Sequence, residues 1–411
     1  MSNPSSPALA FPTPLPSTGQ WSGLNLLLTR ERLADLQVAI ANGDPLTTQA
    51  YQNAINAAES YKNQQPNPIV GVLQVPSFYG SPQDSVIQQQ IVAQIRTDAW
   101  AAHGLAWGYA FTGSADYVVT AKAILFAWVN SLTQPVDGPG DPGLAGIEDL
   151  LLGEEGGDTA LVMHYTFPHF LYAYDILNGF GQFSSDEQEQ FTKWLAPFIS
   201  YRLSEERFVN NHQNWQVLFM GAAAHVTADQ NLFNMAVGYY RDGMHHQQIA
   251  ADGSMWRELA RGAKAATYTL MALEAMVQFV VIANNHAVTD LRDVVADPRD
   301  SEDAFLLDEV THLEHSGVAS AGGTLLDAFN SLQEFLNGPA AWTTRFQNVI
   351  RSPTVNGPVS PSDWGWIFEA GNAWFPTQSF ASFLQEAPYG LLPARAYTLS
   401  YATLLFRPLP A

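Results

Sequence analysis

Ala251 to Asn284 reads ADGSMWRELARGAKAATYTLMALEAMVQFVVIAN. Asp252, Gly253 and Ser254 give a turn-and-cap signal, and about thirty residues follow with neither Gly-Pro punctuation nor period-two alternation. The stretch therefore predicts one long helix opening at or just after Ser254, with Gly262 as its weak point. Arg257, Arg261, Lys264 and Tyr268 recur at spacings of four, three and four, which at about 100° per residue sets them on one stripe. Leu259, Ala260, Ala263, Ala266, Leu270 and Leu273 take the other faces. Such a stripe is commonly a solvated face, and Glu258 can pair with Arg261 at i+3 for a few tenths of a kcal/mol. Here the chain holds only 18 Lys+Arg against 39 Asp+Glu. Three cations aligned with a tyrosine in so acidic a chain point to a site. A second segment, Asn210-Asn211-His212-Gln213-Asn214-Trp215, adds weight to that reading.

Outward from this stretch the helical signal continues in both directions. Residues 1 to 27 are Pro/Ser-rich and read as an extended segment over the surface. Thr29 to Ala41 and Pro45 to Lys62 form a helical hairpin. Asn63 to Asp84 is a loop with four prolines and two glycines that carries Phe78 and Tyr79, of a length often found in lids and binding loops. Ser85 to Phe111 and Asp116 to Trp128 are helical again, and Gln134 to Gly157, with seven glycines and three prolines, is a loop. Helices are expected over Asp158 to Leu177, Ser184 to Leu203, Asn214 to Val226 and Asp229 to Ile249. Beyond the central stretch they are expected over Phe305 to His315, Leu325 to Asn337 and Ala340 to Ile350, with a less regular tail from Val355. No segment alternates like a strand for long. Successive helical hairpins over some 300 residues predict an all-α protein closed as an (α/α) toroid, with residues 28 to 411 as a single catalytic domain.

Composition narrows the function. At 411 residues and 47% apolar, the chain can bury a full core. A formal charge of -21 argues against nucleic acid, whose binding needs a basic footprint. An acidic polymer remains compatible, because repulsion is screened beyond about 10 Å in salt and a local Arg cluster dominates inside a cleft. Eleven Trp, 15 Tyr and 23 Phe offer stacking platforms for sugars. There is no cysteine, hence no disulfide, thiolate metal site or cysteine nucleophile. The N-terminus lacks a basic start and a continuous apolar run, so it is no intact signal peptide; a trimmed secreted or periplasmic chain looks the same, and that location is the expectation. Ala265 to Ala283 is apolar but contains Glu274 and Gln278, so no membrane span is expected.

The chemistry these residues suit is β-elimination on a 4-linked uronic-acid polymer. The C6 carboxylate must be neutralised, the C5 proton removed and the leaving O4 protonated. Asn211, His212 and Arg261 supply donors for the first task. When H5 and O4 share a face, as in β-mannuronate or β-glucuronate, Tyr268 can act as both base and acid; when they oppose, His212 is the better base and Tyr268 the acid. A free phenol at about 10 needs nearby positive charge to serve as a base, and Arg261 is placed to provide it. The sequence leaves both stereochemistries open.

Asn211-His212-Gln213-Asn214-Trp215, followed by Asp252-Gly253-Ser254, Glu258-Leu259-Ala260-Arg261 and Tyr268, resembles the alginate-lyase superfamily of polysaccharide lyases. The resemblance covers roughly residues 90 to 285 and includes Tyr109 to Tyr117 and Tyr172 to Leu177. It implies an α/α toroid that cleaves an anionic polysaccharide without metal or cofactor. It also implies that Asn211 neutralises the carboxylate, His212 neutralises it or acts as base, Arg261 supports the tyrosine, and Tyr268 transfers protons. The aromatic-rich segment that many relatives carry before the first long helix is missing, and Tyr79 stands in for it.

Further candidates follow from type and position. Arg257 and Lys264 suit carboxylates at flanking subsites, Trp215 and Gln213 a sugar platform, and His164 and Tyr165 the cleft wall; each has an equally plain structural reading. His245-His246 and His312/His315 lack a third acidic ligand at a recognised spacing, so no metal is expected. A hydrolase would need two carboxylates across the cleft, for which Glu154, Glu155 and Asp158 are available. A non-catalytic carbohydrate-binding protein is the remaining alternative.

Overall fold

Helix starts are written into the sequence as side chains that accept the first free backbone N–H groups. Thr29 accepts from Arg32 N at 3.1 Å and Asp44 from Thr47 N at 2.9 Å. Ser81–Asp84, Ser184–Glu187 and Thr324–Asp327 form reciprocal capping boxes. The structure, a computed structural model, describes residues 11–14, 21, 23–139, 157–201, 203, 210–245, 248–294, 322–350, 352, 354–355, 367–376, 380 and 401–409.

Within these the helices are α1 (Arg30–Ala41), α2 (Pro45–Tyr61), α3 (Pro82–Thr112), α4 (Ala115–Ser131), α5 (Thr159–Thr166), α6 (Pro168–Gly179), α7 (Ser185–Ser200), α8 (Asn211–Thr227) and α9 (Gln230–His245). They continue with α10 (Trp256–Leu259), α11 (Ala265–Asn285), α12 (Leu325–Asn337), α13 (Pro339–Arg345), α14 (Gln347–Ile350), α15 (Ile367–Trp374) and α16 (Ala402–Phe406). Helix α3 packs on α2, α4 and α6, and α8 packs on α5, α6, α9 and α11. Each hairpin thus hands its apolar face to the next, and the chain closes as an α/α toroid. Helices α8 and α11 are buried over most of their length, as helices with apolar residues on every side require. Gly221 on α8 shows how close they lie, since a Cβ there would stand 2.6 Å from the Phe279 ring of α11.

Three details differ from the sequence-based expectation. The long helix over 254–284 is interrupted: α10 ends at Leu259, a 3-10 turn covers Gly262–Lys264, and α11 begins at Ala265. Gly262 stands at φ +62°, the left-handed region that only glycine enters without strain. The helix expected over 158–177 is split at Phe167, because Pro168 has no N–H to continue the ladder. A small parallel pair, β1 (Gly71–Leu73) with β2 (Leu132–Pro135), ties the two long loops together. The expected helix Phe305 to His315 lies outside the described residues.

The end of the N-terminal segment enters the core rather than lying over it. Leu24, Leu26 and Leu28 are buried. The Asp175 carboxylate accepts from Asn25 N and Leu26 N, both at 3.1 Å, and contacts His225 Nε2 at 2.8 Å. Residues Gly262–Asn285 are long and apolar enough to cross a membrane, yet 83% of their most apolar window is buried inside the fold. That apolarity serves the core.

Candidate active site

The site forms where α8 and α11 begin. Asn210 caps α8 by accepting from His212 N at 2.9 Å, which leaves Asn211 as the first helical residue. Asn211 is fully buried. Its backbone N–H donates to Glu258 Oε1 at 2.6 Å and its Nδ2 to Glu258 Oε2 at 2.9 Å. A carboxylate there meets the positive end of the α8 dipole as well as two donors. Glu258 belongs to the single-turn helix α10, so this pair of bonds fixes the segment from which Arg261 projects.

The break at Gly262 then does what a continuous helix cannot. Seven helical residues rise about 10 Å, which would hold Arg261 two turns from Tyr268. Instead the Arg261 guanidinium lies 4.1 Å from the Tyr268 ring centroid and 5.4 Å from that of Tyr79. The Tyr79 and Tyr268 hydroxyls are 2.7 Å apart. Arg261 Nη2 donates to the Tyr79 hydroxyl at 3.3 Å and Lys264 Nζ to the same oxygen at 3.4 Å. Lys264 also covers the Phe78 ring at 4.7 Å. The loop bearing Phe78 and Tyr79 is pinned behind its tip. Phe78 N donates to Asp158 Oδ2 at 2.8 Å, Val75 N to Thr159 Oγ1 at 2.9 Å, and Ser77 N to the Pro139 carbonyl at 3.3 Å.

Charge in this cluster is set by burial first. Burial pushes the Glu258 carboxyl up to about 7, against the pull of Arg261, the Asn211 bonds and Arg257. Burial works against the Arg261 cation too, but Tyr268, Tyr79 and Glu258 more than offset it and hold the guanidinium protonated. Burial raises Tyr268 well above its ordinary value and Tyr79 adds to this, while Arg261 opposes. The resting side chain is therefore a neutral phenol. His212, which keeps a partly exposed edge, is pushed down to about 3 by burial, then by Arg261 and His164. His164 is likewise pushed down to about 3 by burial. Both imidazoles are neutral donors at neutral pH.

The profile of the family described as Alginate lyase matches residues 89–302, a span that holds the Asn-His pair, the Glu258–Arg261 segment and Tyr268. The chain belongs to the alginate lyase family. It is a polysaccharide lyase on an alginate-like substrate. No curated protein matches the chain. Among solved structures, an alginate lyase from Bacteroides ovatus is similar with a TM-score of 0.64 and 15% identity, over 93% of this chain and 99% of that one. Alginate lyase A1-III from Sphingomonas species A1 is similar with a TM-score of 0.62 and 16% identity, over 88% and 94%. A Tyr-to-Phe variant of A1-III complexed with tetrasaccharide has a TM-score of 0.63 and 16% identity, over 95% and 96%. At these identities the likeness carries the toroid fold.

Of the residues singled out in the sequence, the lyase gathers Asn211, His212, Arg261, Tyr268, Lys264 and Tyr79 around one cluster, and His164 lies near enough to act on His212. Others lie elsewhere. Trp215 is fully buried and packs edge-on near Tyr165 at 6.1 Å, so it is core and not a sugar platform. Gln213 is buried and donates to the Tyr239 carbonyl at 3.1 Å, joining α8 to α9. Tyr165 is buried beneath Arg96, whose guanidinium is 5.2 Å from its ring. Arg257 leaves the expected stripe and stacks on Trp256 at 4.7 Å. Asp158 is buried as an acceptor for Phe78 N and Gln88 Nε2, a loop anchor rather than a hydrolase carboxylate. Glu154, Glu155, His246, His312 and His315, and the side chain of His245, lie outside the described residues. Among the described residues no group of three or more His, Asp or Glu is placed to hold a metal ion. The bond from Asn211 to Glu258 was missed. Its one signal was that Glu258 is the only acid between Ser254 and Leu273.

Proposed function

We propose that residues 28–411 form one catalytic unit that cleaves 4-linked β-uronates, above all the mannuronate blocks of an alginate-like polymer, by syn β-elimination. The observation that carries this reading is the Tyr268 hydroxyl 2.7 Å from that of Tyr79, with Arg261 over both rings. Asn211, His212 and Arg261 bind the C6 carboxylate and stabilise the charge that develops when C5 loses its proton. Neutral His212 and the second Nδ2 hydrogen of Asn211 act as donors; Arg261 supplies charge. Tyr268 acts as phenolate: it takes H5, the C4–O4 bond breaks as C4=C5 forms, and the phenol returns the proton to O4. Arg261 and Lys264 lower the cost of reaching the phenolate, whose proton leaves through the Tyr79 hydroxyl. An imidazole held down at about 3 is a weak base, which favours the same-face mechanism over one led by His212. A polymer substrate of this kind also supports a secreted or periplasmic place of action.

The test is the absorbance of the conjugated double bond, measured with mannuronan, glucuronan and guluronan. Absorbance is expected with mannuronan, with glucuronan as the runner-up since its H5 and O4 also share a face, and not with guluronan. Cleavage of guluronan alone would replace Tyr268 by His212 as the base, and reducing ends without absorbance would mean hydrolysis.

A further inference from the structure

Glu258 has no role in the reaction just described, yet it is 1% exposed and its two oxygens each take one hydrogen from Asn211, at 2.6 and 2.9 Å. We propose that Glu258 is a positioning residue for the elimination: its carboxylate sets the Asn211 carboxamide and the start of α8 in the orientation that meets the C6 carboxylate of the substrate. This rests on the lyase reading above. Three observations point to positioning rather than simple packing. Among the described residues Asn211 Oδ1 is buried with no hydrogen-bond partner, and the one side-chain bond there that fixes the amide plane runs from Nδ2 to Glu258. Both bonds join the segment that carries Arg261 to the helix that carries His212, so one carboxylate sets the spacing of all three carboxylate binders. Finally, buried carboxylates are costly without a matched cation or full hydrogen bonding, and an apolar side chain would fill the volume at lower cost.

The geometry is specific for a carboxylate. A glutamine of the same shape must turn an NH2 toward either Asn211 N or Nδ2, so a donor meets a donor and the Asn211 amide rotates or shifts. Among the described residues the charged groups that act on Glu258 are Arg261 and Arg257 on its own segment; Arg261 in turn faces Tyr268 from α11, Tyr79 from the loop and His212 from α8, and His164 from α5 acts on His212. His164 and His212 are pushed down to about 3 and Tyr268 is raised, whereas the Glu258 carboxyl lies at about 7. Protonating Glu258 weakens both charge-assisted bonds to Asn211. A step near pH 7 in the acid limb of activity, on top of the rise that phenolate formation at Tyr268 gives, is thereby assigned to this residue.

The experiment compares wild type with Glu258→Gln on mannuronan across pH 6 to 8, together with 15N–1H spectra of the Asn211 side-chain amide, assigned by its loss in Asn211→Ala. Expected are a kcat lower by about 100-fold, the usual effect of misplacing a binding group by an ångström, a KM changed by much less, and loss of the step near pH 7 in the acid limb. The wild-type Asn211 amide should move with a midpoint near pH 7 and that of Glu258→Gln should not. A variant that keeps wild-type kcat and acid limb overturns the proposal. If wild type makes no absorbing product on any uronate polymer, the lyase reading falls. The amide titration then decides alone: a wild-type amide unmoved from pH 6 to 8 refutes the Glu258 coupling. The same titration serves if Glu258→Gln does not fold.

Discussion

A guanidinium 4.1 Å from the Tyr268 ring and within reach of the Tyr79 hydroxyl places positive charge where the proposed mechanism needs a phenolate. The shape of that cation matters, because a planar guanidinium stacks flat on one ring and donates along fixed directions to another residue, whereas an ammonium is a compact point charge. Arg261→Lys is therefore expected to keep the fold but lower kcat by about 10- to 100-fold and shift upward the pH range over which kcat rises with Tyr268 ionisation, as read from a kcat–pH profile. At this scale the sequence shows residue types but not burial. The Asn-His pair and the cations near Tyr268 stood out because so few cations are present. Trp215, Gln213 and Tyr165 were equally plausible by type, and their core positions follow from packing among α5, α8 and α9 that no local pattern displays.

Gly262 decides how the central segment presents these side chains. A glycine inside a helix costs only about 1 kcal/mol, so the sequence alone does not separate a tolerated helical glycine from a left-handed break. The segment before the break has a partner distant in sequence: Glu258 on α10 is held by Asn211, 47 positions away. A Cβ at Gly262 would meet only the Ile350 carbonyl at 3.5 Å, an ordinary contact. The cost of Gly262→Ala is then the φ of +62°, about 1 to 2 kcal/mol, measurable as a lower urea midpoint. Activity under stable conditions should fall as well, since relaxing the backbone there moves Arg261 away from Tyr268. An unchanged midpoint would mean that the left-handed turn is not occupied. The other helices were legible because their caps and apolar periods are local, and the split at Phe167–Pro168 shows the limit of that rule where a proline lies inside an otherwise continuous period.

On the scale of the whole molecule, the toroid is held together by an interior that tolerates few charges. His103 and His164 are 2% and 5% exposed, and burial pushes both down to about 3, as it does His212. In the unfolded chain a histidine titrates near about 6.5. Their stabilising effect is thus fully present above about 6.5 and is lost as pH falls toward 3, because the unfolded chain then binds protons that the fold excludes. Each contributes about 1.4 kcal/mol per pH unit over that window. Glu258 acts in the opposite sense: its raised carboxyl penalises the fold above about 7 and returns stability as pH falls to about 4.5. Burial pushes His286 down to about 3 as well and raises Glu369 as it does Glu258; four histidines against two carboxyls leave a net loss, so the melting temperature followed by circular dichroism should drop between pH 6.5 and 4.5. A flat profile would mean that these rings are not held neutral. The proposed elimination turns on a single hydroxyl within this frame, and Tyr268→Phe tests it most directly. With mannuronan as substrate the variant should bind oligosaccharide about as wild type does, by calorimetry, while the rise in ultraviolet absorbance falls by 1,000-fold or more, on the order of what a lost general acid–base contributes. Absorbance that continues at a rate near wild type would contradict Tyr268 as the proton-transfer residue.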